Sequence, residues 1–303
     1  MGNLDDEVQG KFSHLKEGEV ILLENIRYFN EENENDENFS KKLGSLGDIY
    51  INDAFSCSHR KQASIHNITK FVKSSYGGPL LKKEIEAINL VIQNKKEPVT
   101  CIIGGSKIST KLNVILSLIK KVNNLIIVGA MANNFFVYKN FKVGKSLIEE
   151  DTREIIKEIY EKAEKYKCEI LIPEDCVVST SFDGNGKNKN LDTIADNEII
   201  LDIGAKTIDN IANKINKSNT VLWNGPAGYF ENKNFINGTL SIANSISTNT
   251  MDKSLISILG GGDTLAAINK SKNKLSFTHL STAGGAFLEY LEGKDLPGLS
   301  VLK

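Results

Sequence analysis

Four short apolar runs in this chain end in glycine and give way to segments with helical spacing, and no other feature restricts the fold so much. Val99-Thr100-Cys101-Ile102-Ile103 runs into Gly104-Gly105-Ser106-Lys107, and Leu125-Ile126-Ile127-Val128 into Gly129-Ala130-Met131. Thr220-Val221-Leu222-Trp223 runs into Asn224-Gly225-Pro226-Ala227-Gly228, and the apolar run 254–259 into Gly260-Gly261-Gly262-Asp263-Thr264. A run without polar alternation is buried on both faces, and regular exchange with helices lays such strands side by side in a parallel sheet. Residues 19–23, 48–51 and 169–172 read as further strands, and helical spacing recurs over 111–120, 152–166 and 238–247.

The expected class is α/β: a Rossmann-like three-layer parallel sheet forming a complete C-terminal domain, with a partial N-terminal α/β domain before it. Ligands of such sheets bind beyond the carboxyl ends of the strands, so the four glycine turns are expected to pave one edge. A boundary is expected near Tyr76-Gly77-Gly78-Pro79. Beyond it a helix over 80–94, with Leu81, Ile85, Ile88 and Ile92 at helical spacing, connects the front part to the larger unit. The front part, 1–79, holds only two strand-like runs, too few for a doubly wound sheet. Residues 30–38 read as an acidic, solvated loop leading into a helix, and 183–190, rich in Gly, Asn and Lys, as a surface loop.

With 303 residues, 40% of them hydrophobic, the chain has material for two cores, and a net charge of −1 argues against a nucleic-acid or membrane-surface binder. It contains no apolar run long enough to cross a membrane, and the acidic start Met1-Gly2-Asn3-Leu4-Asp5-Asp6-Glu7 lacks the regions of a signal peptide. Cys57, Cys101, Cys168 and Cys176 show no paired spacing, so a reduced, cytoplasmic setting is expected. Cys57-Ser58-His59 with His66 matches no common metal-ligand pattern.

A strand that ends in glycines and opens a helix leaves bare N–H groups in the helix dipole's positive field, a place suited to phosphate. Asp263 at the mouth of one such turn is placed to hold a divalent ion carried by a nucleotide. The competing reading is an ordinary tight turn. Lys107 and Lys111, four apart at a helix start, lie on one face and oppose the dipole, which a polyphosphate would explain better than solvation. Glu231, beyond the rigid turn Asn224-Gly225-Pro226, suits ribose hydroxyls or a surface cap equally. Ser281-Thr282-Ala283-Gly284-Gly285 opens another helix, and Trp223 reads as core. Arg27 and Arg60 follow strand ends and would grip carboxylate or phosphate, or else pair with an internal acid.

These stretches together resemble the phosphoglycerate kinase family. The matching residues are Leu22-Leu23-Glu24-Asn25-Ile26-Arg27-Tyr28-Phe29, Asn52-Asp53-Ala54-Phe55, Ser58-His59-Arg60, Gly104-Gly105-Ser106-Lys107, Trp223-Asn224-Gly225-Pro226, Phe230-Glu231, the Gly260 turn through Thr264, and Leu291-Glu292-Gly293-Lys294 with Leu296-Pro297-Gly298. They come in the family's order along nearly the whole chain. The resemblance implies a phosphotransferase with a carboxyl-group acceptor, moving a phosphoryl group between 1,3-bisphosphoglycerate and ADP to give 3-phosphoglycerate and Mg-ATP in glycolysis. It implies a nucleotide-binding domain over 95–285, a phosphoglycerate-side domain over 1–79, and a segment 286–303 returning toward the latter. Nucleotide binding would fall to Lys107, Lys111, Asn224, Pro226, Glu231, Gly260, Gly261, Gly262, Asp263 and Thr264, with Asp263 on Mg2+. Lys107, Gly261 and Gly284 would act on the group in flight, and Arg27, His59 and Arg60 would bind the substrate. The enzyme would be a cytoplasmic monomer whose partners are small molecules only, neither nucleic acid nor membrane.

The chain departs from the family's pattern in front. The segment that normally precedes the equivalent of Leu22, with its aspartate–asparagine pair and a His-Leu-Gly-Arg stretch, has no counterpart, so either an N-terminal truncation or a start assigned too late is expected. Ala283 and Ala130 stand where glycines are usual. The alternative is a non-catalytic nucleotide-binding remnant of the family.

Overall fold

The computed structural model describes residues 10, 12 and 14–302; the acidic start at 1–7 lies outside the described residues. The chain divides into two units, one of the residues up to Ile85 with those from Lys294 onward, the other Glu86–Gly293.

In the first unit a helical turn α1 (Asn30–Asn33) and helix α2 (Glu37–Gly44) precede strands β1 (Ile49–Asn52) and β2 (Ser74–Gly77); helix α3 (Pro79–Ile92) starts in this unit, and its residues from Glu86 onward are counted with the second. Asp36 caps α2 by accepting from the Phe39 N–H at 2.7 Å, satisfying a donor that a helix start leaves free. Phe39 and Leu43, one turn apart, then pack on Ala63. β1 and β2 run parallel, with Ile51 beside Tyr76. Their two faces differ. Asn52 and Ser75 are buried, whereas Ile49 and Ile51, each 59% exposed, and Tyr76 stand in solvent. The Asn52 side chain donates to Ser58 Oγ and to the Gly298 carbonyl, both at 3.0 Å. This ties the short C-terminal helix at Pro297–Ser300 into the unit.

Two expectations fail in this unit. Residues 19–23 form no strand, and Val20 and Leu22 are 90% and 95% exposed. A strand exists only with a neighbour that takes its N–H and C=O groups, and none of the described strands pairs with this run. Residues 30–38 are not a solvated loop either. They make α1 and then lead, as expected, into helix α2, and Glu32 is fully buried.

The second unit contains β3 (Val99–Ile103), β4 (Asn124–Ile127), β5 (Glu169–Leu171), β6 (Asp175–Ser179), β7 (Lys187–Asn190), β8 (Ile199–Ile203), β9 (Thr220–Asn224), β10 (Ile256–Gly260) and β11 (His279–Ser281). Six of them build the expected parallel sheet, in the order β11-β10-β9-β3-β4-β5. Every residue of β3 and β9 is buried, which is why both read as unbroken apolar runs. Helices α4 (Leu112–Leu118), α5 (Ala132–Tyr138), α6 (Arg153–Tyr166), α7 (Ala205–Asn216), α8 (Asn237–Lys253), α9 (Gly262–Ile268) and α10 (Gly285–Glu292) complete the unit. Ile211 and Ile215 of α7 and Ile242 and Ile246 of α8 pack with Trp223 and Leu259 in one core. Helix α10 belongs to this unit, so only the residues from Lys294 onward join the first.

A three-stranded antiparallel sheet, β7-β6-β8, is an addition to the expected fold. β7 corrects the loop expected at 183–190: Lys187-Asn188-Lys189-Asn190 has no apolar residue, yet it pairs with β6 from Asn190 beside Asp175 to Lys187 beside Val178. The register of the main sheet matters most for the site. Asn224, at the carboxyl end of β9, stands beside Ile103 on one side and Gly260 on the other, so three glycine turns leave the sheet at one level.

Candidate active site

At that level the turns lock together through close backbone approach. The Gly104 N–H donates to the Asn224 carbonyl at 2.8 Å. A Cβ on Gly104 would overlap the carbonyls of Gly225 and Pro226, and one on Gly225, at φ +98°, would overlap Gly104. Only glycine permits this contact. Lys111 reaches back over the same point, its Nζ donating to the Gly104 carbonyl at 2.6 Å and to Asn224 Oδ1 at 2.8 Å. Asn224 Nδ2 donates to the Gly260 carbonyl at 2.8 Å. Thr264 Oγ1 donates to that carbonyl at 3.0 Å and accepts from the Gly225 N–H at 2.7 Å. Lys111, Asn224, Gly260 and Thr264, chosen from the sequence as phosphate and nucleotide contacts, therefore form one braced network. Gly261 joins it at φ +101°, where a Cβ would lie 2.8 Å from Asn224 Nδ2.

Burial changes the charge at the centre of this network. It lowers the Lys111 pKa to about 8, against the opposing pull of the Asp263 carboxylate. An ammonium with two internal acceptors retains one further donor for a ligand.

Beside the network lies a cavity of about 410 Å³ at the carboxyl ends of β3, β4 and β9, with mainly apolar walls. Gly105, Ala130, Phe136, Ile200 and Pro226 contribute to it, and Glu231 and Asp263, both exposed, are among its lining. A largely apolar cleft with a few polar groups at strand ends is the usual form of a small-molecule site. Of the expected nucleotide residues, Pro226, Glu231 and Asp263 line it; Lys107, Gly262 and the members of the braced network do not, nor does Gly284, which was expected to act on the group in flight. Lys107 is exposed in the turn after β3, and Gly262 and Gly284 are exposed at the starts of α9 and α10.

Two lining residues escaped sequence reading. Asn133 is buried; its Nδ2 donates to the Leu147 carbonyl at 2.9 Å, and its Oδ1 finds no partner among the described residues. Asp202, 3% exposed, accepts from the Gly238 N–H at 2.8 Å and from its neighbour Ile203 N–H at 2.9 Å. Burial pushes its carboxyl up to about 7 in spite of both bonds. No local pattern marks either residue, because each is defined by what packs on it.

In the first unit Arg27 pairs with Glu32, Nη1 to Oε1 at 3.0 Å, and Glu32 also accepts from the Ser64 amide at 2.8 Å and hydroxyl at 2.7 Å. The internal acid that would make Arg27 a structural residue thus exists, and its guanidinium is about a third exposed. Arg60 is exposed, and its charge, like that of Arg27, acts on the Cys57 thiol, so the two guanidiniums share a neighbourhood. His59 Nδ1 is buried without a hydrogen-bond partner among the described residues.

The family model described as Phosphoglycerate kinase matches residues 2–294. The chain belongs to this family. It is 44% identical over 298 residues to the phosphoglycerate kinase of Wolbachia pipientis subsp. Culex pipiens (strain wPip), covering 98% of this chain and 75% of that protein. The phosphoglycerate kinase of Dictyoglomus turgidum is 42% identical over 302 residues, with 99% and 75% covered. Among solved structures, phosphoglycerate kinase from Coxiella burnetii superposes with a TM-score of 0.86 at 38% identity, covering 94% of this chain and 72% of that one. The enzyme from Pyrococcus horikoshii OT3 superposes with a TM-score of 0.83 at 29% identity, covering 99% and 76%. The chain thus spans about three quarters of the length of these phosphoglycerate kinases. The comparisons support phosphotransferase activity of the glycolytic type, and no observation favours the non-catalytic alternative.

Proposed function

We propose that this phosphoglycerate kinase binds the nucleoside of ADP or ATP in the cavity beyond β3, β4 and β9 and transfers the terminal phosphoryl group reversibly to and from 3-phosphoglycerate. The observation that carries the reading is that Glu231 and Asp263 line that cavity beside the Lys111–Asn224–Thr264 network. Pro226 packs against the base side and Glu231 accepts from the ribose hydroxyls. The phosphate chain runs along the glycine turns, where Lys107 and Lys111 neutralise it. The N–H groups near Gly261 and Gly284, at the starts of α9 and α10, face the charge of the group in transit. Arg27, His59 and Arg60 hold the phosphoglycerate. Such a reaction needs positioning and charge neutralisation and no covalent intermediate on the protein.

The residues present suit a magnesium ion brought by the nucleotide. No group of three His, Cys, Asp or Glu able to cage a metal occurs among the described residues. Magnesium carried on phosphates needs only one or two carboxylates from the protein, and Asp263 at the cavity supplies one. When bound, the ion would offset the charge of the phosphate oxygens. The reading also has the enzyme acting as a monomer in the cytoplasm; its four cysteines are free, and no helix among the described residues is long and apolar enough to cross a membrane.

Two measurements on the 303-residue chain test this: calorimetric binding of Mg-ADP and a coupled assay of phosphoryl transfer. Binding with turnover is the expected result. Binding without turnover would return the non-catalytic reading, and no binding at all would remove the nucleotide from the cavity.

A further inference from the structure

The turn that carries Lys107 and Lys111 is held by a carboxylate from a distant part of the chain. The Ile108 and Ser109 N–H groups donate to Glu149 Oε2 at 2.5 and 3.1 Å, and the Ser109 hydroxyl donates to Oε1 at 2.5 Å. These amides open the short helix Ser109–Lys111 that leads into α4, where the sequence suggested a bound phosphate. An internal anion already fills that place.

Glu149 is itself fixed at its backbone. Its N–H donates to Asn134 Oδ1 at 2.9 Å, and the Thr152 hydroxyl donates to the same oxygen at 3.4 Å. Asn134 is buried on α5, the helix whose Ala132, Asn133 and Phe136 line the cavity. A continuous chain of contacts thus runs from the cavity wall through Asn134 and Glu149 to the lysine turn. The carboxylate is well compensated: although burial works the other way, the Ser109 hydroxyl, the two amides and the Lys107 charge hold its pKa below the usual range.

We propose that Glu149 is a positioning residue for the nucleotide phosphates: it occupies the Ile108 and Ser109 amides and sets the Lys107–Lys111 turn at a fixed place beside the cavity wall. The phosphate chain then meets the two ammonium groups in a prearranged geometry, while the helix start is closed to it. This rests on the nucleotide reading of the cavity. Glu149 touches no substrate; its effect passes through the lysines. Preorganisation of this kind acts on the part of the ligand that the turn meets, the phosphates, and leaves the nucleoside untouched.

The test compares Mg-ADP with adenosine by calorimetry on the full chain, for the unaltered protein, Glu149→Gln, Glu149→Asp and Ser109→Ala. Glu149→Gln keeps the side chain's size but not its charge, and Ser109 is exposed, so its variant leaves the core intact. The expected result is a loss in Mg-ADP affinity of about tenfold for Glu149→Gln, in the range of one charge-assisted contact. Adenosine affinity stays within about twofold, Ser109→Ala shows a smaller loss, and Glu149→Asp recovers part of it. Unchanged Mg-ADP binding would overturn the proposal. So would tighter binding, which would make Glu149 a mere competitor of phosphate, or an equal loss for adenosine, which would make it a general structural support. If the unaltered chain bound adenosine but gained nothing from the phosphates, the proposal alone would fall. If it bound neither ligand, the functional reading would fall with it.

Discussion

Asp202 offers a quantitative test of how the cavity wall is built. Its carboxyl is buried on β8, accepts two amides, and is pushed by burial up to about 7. In the unfolded chain an aspartate titrates near ~3.9. The folded value is the higher one, so the contribution of Asp202 to stability is full below about 4 and falls as the pH rises through 7. Between those limits the unfolded chain has lost a proton that the folded chain keeps. Over roughly three pH units, at about 1.4 kcal/mol each, the loss is about 4 kcal/mol. Asp202→Asn removes the titration and leaves one of the two amides without an acceptor, a pH-independent cost of about 1–3 kcal/mol. The variant is therefore expected to be less stable than the unaltered chain at pH 4.5 and more stable at pH 8, with the two curves crossing between. Urea unfolding followed by fluorescence reads this directly, because the single tryptophan, Trp223, is buried in the same unit. A change of less than about 1 kcal/mol in the difference between the two proteins over that range would show that the buried Asp202 carboxyl does not keep its proton to about 7.

Gly260→Ala would bring a Cβ to 2.6 Å from the Phe287 ring; a loss of about 1–3 kcal/mol is expected, and an unchanged urea midpoint of the Trp223 signal would show that the ring gives way. Lys111, lowered by burial to about 8, is charged below that pH and neutral above it, so Mg-ADP affinity should fall as the pH rises past 8. In Lys111→Met the affinity should be weaker throughout and flat across the same interval by calorimetry, and a variant that keeps the slope would assign the titration elsewhere. Glu32→Ala leaves the Ser64 groups and Arg27 without their partner. Since Arg27 regains water on its exposed side, the loss is put at about 3 kcal/mol, the low end for a broken buried pair, and hydrogen exchange of the Ser64 amide should rise accordingly; unaltered protection would contradict this.

The parallel sheet was legible because β3, β4, β9 and β10 are buried on both faces, and burial on both faces writes itself into sequence as an unbroken apolar run. The edges were not. β11 has three residues and β7 has none that is apolar; such strands exist because a neighbour offers a ladder of hydrogen bonds, a fact that no local window contains. The opposite error came at 19–23, where the composition of a strand is present and the ladder is not. Glu32 was hidden for the same reason. Among Glu31, Glu32 and Glu34 nothing local singles out the one that meets Arg27 and Ser64 inside the unit.

The glycine turns and their polar residues, Lys111, Asn224, Asp263 and Thr264, were determined by sequence alone, since strained dihedrals and close backbone approach admit few residue types and leave a readable signature. What only the tertiary structure decided is which of these groups face each other and which face solvent. Lys111, Asn224 and Thr264 lock into one another, Asp263 and Glu231 line the cavity, and Glu149, forty residues on from Ser109, closes the helix start where a phosphate was expected. The reason is physical. Backbone conformation is a local property of a few residues, whereas hydrogen-bond partners, burial and the pKa values that follow depend on atoms distant in the chain.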